Sequence, residues 1–281
     1  MPDISEHRSN QSAKVLLVGD SGTGKTGSLI SMIQAGWKLR ILDLDRGADI
    51  LANLVRAQGL ALAPGQVQFE TVEDTMVKSP LGGMVGNGEG FHQAVKLLEK
   101  WTDGTKPHEW GPDTVLVIDS WSKLSELSMT NSLRLAGRTG QRPEVQHWGS
   151  AVEDLRGVLN TILSDYFKCQ VLIITHITYI GTRKNAKTDE VQTAKTSVET
   201  DDMTMYPNAL GSKLPTEMGR HFNNTLVYTI DGSGSTAKRK IKTVPLGTLS
   251  VKTSSPFTVK KEYPIETGLA SFFSDLGIKP K

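Results

Sequence analysis

The chain of 281 residues has one cysteine, Cys169. No intrachain disulfide can form, and a reducing compartment is expected. Long apolar runs are missing too, and nothing approaches the roughly 20 residues a membrane-spanning helix requires. The opening MPDISEHRSNQSAK is polar and mixed in charge. It reads as a disordered lead over residues 1–12 and not as a signal peptide, so a cytoplasmic protein with no membrane partner is expected. An excess of one charge is also absent: formal net charge is +2, which leaves any basic surface local. Hydrophobic residues at 37% and charged residues at 22% suit a globular chain. With no internal repeat and no linker, one domain is the simplest reading.

What is present is alternation. VLLVG (15–19), LRILDLD (39–45), TVLVIDS (114–120) and VLIITH (171–176) read as strands, with VQFETV (67–72) a weaker one. Between them TGSLISMIQAG (26–36), stopped by Gly36, FHQAVKLLEKW (91–101) and AVEDLRGVLNTILSDYF (151–167) have helical patterns. Strands alternating with helices predict an α/β fold, a mostly parallel central sheet flanked by helices. SPLGGMVGNGEG (79–90) reads as a glycine-rich surface excursion, and residues 181–208 as a polar segment without apolar period. NTLVYTID, GSGS and KRKIKTV (224–244) predict an antiparallel hairpin toward the C-terminus.

The chemistry begins in GDSGTGKT, which is Gly19, Asp20, Ser21, Gly22, Thr23, Gly24, Lys25 and Thr26. This is G-x-x-x-x-G-K-[ST] between an apolar strand and a helix. Its glycines let several N–H groups converge on phosphates at the positive end of that helix. Lys25 is expected to reach the β- and γ-phosphates, and the Thr26 hydroxyl to ligate Mg²⁺. Asp119 ends a buried strand, where it would hold the same metal ion. Asp45 ends LDLD, where a turn can swing it toward the γ-phosphate to orient and deprotonate water; a strand-ending turn acid is the plain alternative. His176 ends another strand on the edge where open α/β sheets place ligands.

GDSGTGKT, LDLDRGAD, TVLVIDSWSKL and VLIITH stand in an order that resembles the ATPase core of RecA-type recombinases. The nearest likeness is to compact phage-encoded RecA-like ATPases linked to single-strand annealing and recombination. The resemblance covers residues 13–245, with 246–281 an extension of the same domain. It implies a P-loop NTPase of RecA-like type that hydrolyses ATP with Mg²⁺, binds single-stranded DNA and works in a bacterial host cell. A homo-oligomer is implied, with a single-strand-binding or annealing protein as a further partner. Asp45 matches the catalytic acid, one methylene shorter than the family's glutamate. His176 matches the polar residue that couples phosphate state to the following loop, where the recombinases usually have Gln.

By the same resemblance two loops face DNA. NSLRLAGRTGQRPEVQHWG (131–149) offers Arg134, Arg138 and Arg142, with Trp148 nearby. Residues 181–208 offer Arg183 and Lys184, although acids offset the bases there. The segment 207–224 resembles the region that presents basic residues to a neighbour's nucleotide, which points to Lys213 and Arg220. From Gly232 to Lys261 there are seven Lys or Arg and no acid; nucleic-acid contact and an exposed hairpin face both fit. Other readings stay open: a helicase or packaging motor on the same core, or a nucleotide switch acting on a protein partner. A GTPase switch would need N-K-x-D, and KNAK (184–187) is not one.

Overall fold

A computed structural model describes residues 12–184, 191–194 and 203–280. Most of the expected lead, 1–11, lies outside the described residues. Strands β1 (Lys14–Gly19), β2 (Lys38–Asp43) and β3 (Val67–Thr71) alternate with helices α1 (Leu29–Gln34) and α2 (Ala48–Ala57). A small hairpin, β4 (Met76–Lys78) and β5 (Met84–Gly86), precedes α3 (Gly90–Glu99), β6 (Thr114–Asp119), α4 (Trp121–Leu135), α5 (Val145–Leu163) and β7 (Gln170–Thr175). Then come β8 (Ile177–Lys184), β9 (Val191–Ala194), β10 (Met203–Pro207), α6 (Lys213–Met218), β11 (Asn224–Asp231), β12 (Lys238–Lys242), β13 (Glu262–Pro264) and α7 (Gly268–Asp275).

Eight strands form one sheet in the order β13-β12-β11-β1-β7-β6-β2-β3. All pairs from β11 to β3 are parallel, and β12 and β13 close one side antiparallel. Alternate residues of β1 enter different cores, as a strand covered on both faces requires. Val15 and Leu17 meet Leu29, Met32 and Phe272 on the face of α1 and α7. Leu16 and Val18 join Trp121, Leu124 and Leu155 on the face of α4 and α5. No helix among the described residues is long and apolar enough to cross a membrane.

The expected α/β sheet and its antiparallel hairpin are present. Several elements differ from expectation, each for a physical reason. The helix expected over 26–36 starts only at Leu29. Before it the chain makes tight turns, with Leu29 N–H donating to Thr26 O (3.1 Å) and Ile30 N–H to Gly27 O (3.2 Å). The glycine-rich excursion is a hairpin whose turn uses Gly82 and Gly83 at φ of 90° and 78°. The loop expected over 131–149 shrinks to residues 136–144, because α4 runs to Leu135 and α5 begins at Val145. Ser120 caps α4 by accepting from Lys123 N–H at 3.2 Å. Glu144 and His147 form a capping box on α5. Finally, 181–208 is not patternless: β8 pairs with β9 and β10 in a separate antiparallel sheet. Residues 185–190 and 195–202 lie outside the described residues.

Candidate nucleotide-binding site

β1, β7, β6 and β2 are consecutive parallel strands of the sheet, so the loops that follow them leave the same sheet edge. The phosphate loop follows β1, and Gly22 and Gly24 take φ of 77° and 93°, which a side chain resists. Lys25 is buried, and its ammonium donates to Gly19 O (2.7 Å) and Asp20 O (2.8 Å). Burial lowers its pKa to about 8 against the opposing pull of Asp119, Asp20 and Asp45. Beside it the Thr26 hydroxyl donates to Asp119 Oδ2 at 2.6 Å. Asp119 is buried, and desolvation raises its pKa to about 6; Thr26 and Lys25 oppose the rise, and the neighbouring Asp45 and Asp43 add to it.

The turn after β2 separates the two acids that the sequence pairs. Asp43 ends the strand buried and is structural. It accepts from Gly47 N–H (2.8 Å) and Ala48 N–H (3.4 Å), steadying the start of α2. The chain then folds over β6, with Leu44 and Asp45 N–H donating to Asp119 O (2.6 and 3.3 Å) and Arg46 at φ 57°. This turn carries Asp45 to within 3.9 Å of His176 Nε2, in range for ionic attraction but too long for a direct hydrogen bond. Burial pushes the Asp45 carboxyl up, but His176, Ser120 and Lys123 outweigh it and hold it below the usual range. His176 is fixed through its backbone, its N–H donating to Ser122 Oγ (3.1 Å) and its carbonyl accepting from Asn208 N–H (2.7 Å). It directly precedes β8.

Lys25, Thr26, Asp45, Asp119 and His176 thus line one cleft of about 720 Å³. Its all-oxygen set of a hydroxyl beside a buried carboxylate, with further carboxylates at hand, fits a hard dication such as Mg²⁺. Gly47 keeps this corner open, since a Cβ there would lie 3.3 Å from Asp119 Oδ2 and 3.4 Å from Thr26 Oγ1. Two further walls belong to residues that sequence reasoning did not select. One is Ile30, Ile50, Leu54 and Gln58 from α1, α2 and the residue after α2; the other is Arg239, Ile265 and Glu266. Arg239 belongs to the KRKIK run, whose register could not be known before β11 and β12 were paired.

The other expected residues lie away from this cleft. Arg134 is inside α4, donating to Gly88 O (3.0 Å) and Asn131 Oδ1 (2.9 Å). Arg138 is paired with Glu144. Arg142 is exposed in the 136–144 connection, and Trp148 is exposed on α5. Arg183 and Lys184 fall at the end of β8. Lys213 opens α6 and Arg220 follows it, both exposed.

No protein-family model matches the sequence, and no curated protein is similar to it. Among solved structures, a KaiC-like protein from the archaeon Pyrococcus horikoshii is 17% identical, covering 90% of this chain and 84% of its own, with a TM-score of 0.43. The RadB recombinase is 12% identical, covering 91% and 89%, with a TM-score of 0.44. The flagellar accessory protein FlaH from Methanocaldococcus jannaschii is 12% identical, covering 91% and 87%, with a TM-score of 0.41.

Proposed function

We propose that this chain is a Mg²⁺-dependent ATPase of RecA-like type whose turnover is stimulated by single-stranded DNA, in support of recombination or annealing. One observation supports it above others: residues from four separated motifs, Lys25 with Thr26, Asp45, Asp119 and His176, meet in a single cleft.

When triphosphate enters, the Lys25 ammonium exchanges the Gly19 and Asp20 carbonyls for phosphate oxygens. Thr26 and Asp119 would hold Mg²⁺, which when bound would supply neutralising charge to the triphosphate. Asp45, kept ionised, orients a water toward the γ-phosphorus and takes its proton as the bond to the β–γ bridging oxygen breaks, giving ADP and phosphate. His176 stands between Asp45 and β8, so a change at the γ-phosphate has a short route to the β8–β10 sheet. DNA contact is assigned to Arg142 and Trp148, whose side chains are exposed, because Arg134 and Arg138 are engaged within the fold. Lys213 and Arg220, absent from the cleft lining, are assigned to the nucleotide of a neighbouring copy.

The test is the steady-state ATP hydrolysis rate with and without single-stranded DNA, using Lys25→Ala as the blank. Stimulation by DNA is expected. An active enzyme indifferent to DNA would remove the nucleic-acid half of the proposal and favour a protein-directed switch.

A further inference from the structure

Arg239 reaches the phosphate loop across 217 residues of sequence. β11 lies beside β1, and β12 pairs with β11 so that Arg239 stands opposite Ile230. Its Nε donates to Gly22 O at 2.9 Å. Its stem crosses Gly24, where a Cβ would lie 3.1 Å from Arg239 Cδ and 3.2 Å from Ile265 Cγ1. Two of the three other cations on β12 are already neutralised: Lys240 by Glu262 (3.0 Å) and Asp231 (3.5 Å), Lys242 by Asp231 (3.1 Å). Arg239 makes no ion pair among the described residues. It is exposed, lines the cleft, and is held by one neutral carbonyl.

A guanidinium satisfied by one backbone carbonyl keeps most of its donor fork free, and a phosphate is a far stronger acceptor for that fork. We infer that Arg239 is a clamp from the same chain on the nucleotide's triphosphate, leaving Gly22 O for the phosphate oxygens and drawing the β11–β12 hairpin onto the bound nucleotide. This rests on the reading of the cleft as a nucleotide site and adds a contact that the phosphate-loop motif does not contain. An arginine suits the task better than lysine, because its planar fork meets two phosphate oxygens at once.

The experiment titrates the full chain with fluorescent ATP and ADP analogues in Mg²⁺, for the parent, Arg239→Ala, Arg239→Gln and Arg239→Lys, with melting temperature recorded for each. Loss of a charge-assisted pair predicts that Arg239→Ala and Arg239→Gln weaken ATP by roughly 10-fold or more. ADP should weaken by no more than about 3-fold, and Arg239→Lys should recover part of the ATP affinity at an unchanged melting temperature. Equal weakening of ATP and ADP with a fall in melting temperature would make Arg239 only a brace for the loop and overturn the inference. Unchanged affinities would also overturn it. A parent that binds neither nucleotide would overturn the nucleotide reading itself, and the clamp with it.

Discussion

At the residue scale Asp45 and Asp119 are two carboxylates set apart by their surroundings. Asp119 is sunk beside Thr26 with its proton affinity raised, whereas Asp45 is half-exposed near a histidine and a lysine that favour its charge. Asp45→Asn should therefore leave ATP affinity within about 3-fold and lower kcat by roughly 100-fold or more, the usual worth of a general base. Single-turnover hydrolysis beside equilibrium binding checks this; equal loss of both would make Asp45 structural. Cys169 gives a second outcome. It is fully buried, and desolvation pushes its thiol up to about 11, Lys14 only partly opposing. Native protein at pH 8 should react with an aromatic disulfide reagent only when denatured. The phosphate loop with Thr26, Asp119, Asp45 and His176 are all legible as candidates because each lies at a strand end or in the loop that leaves it. Arg239 was not, since its place depends on the pairing of β12 and not on its neighbours in sequence.

At the element scale the strands of the parallel sheet are plain in sequence because burial on both faces leaves unbroken apolar runs. α4 is obscured by its serines in WSKLSELSMTNSLRL, which weaken the apolar period. The structure explains them: Ser128 Oγ donates to Ala151 O (2.7 Å) and Ser132 Oγ to His147 O (3.1 Å), so small polar residues seat α4 against α5. Ser128→Leu should overpack this contact and cost about 1–3 kcal/mol, read as a lower urea midpoint. The β8–β10 sheet is faint in the sequence for another reason: all three strands carry threonines, β8 ends in Arg183 and Lys184, and β9 is only four residues long. β13, three residues long, has too little sequence to signal anything.

At the scale of the whole molecule one sheet joins residues from Lys14 to Pro264, so the C-terminal strands and the phosphate loop share a framework. If Arg220 acts on a neighbour's nucleotide, Lys25→Ala and Arg220→Ala should each be inactive alone. An equimolar mixture should regain hydrolysis, because mixed contacts pair an intact loop with an intact arginine. No recovery would confine Arg220 to its own chain. Occupation of the cleft at the end of β1 by a nucleoside triphosphate is read by equilibrium titration with a fluorescent ATP analogue in Mg²⁺. Saturable binding by the parent and roughly 10-fold or more weaker binding by Lys25→Ala are expected; equal binding by the two, or none by the parent, would show that the cleft is not a nucleotide site.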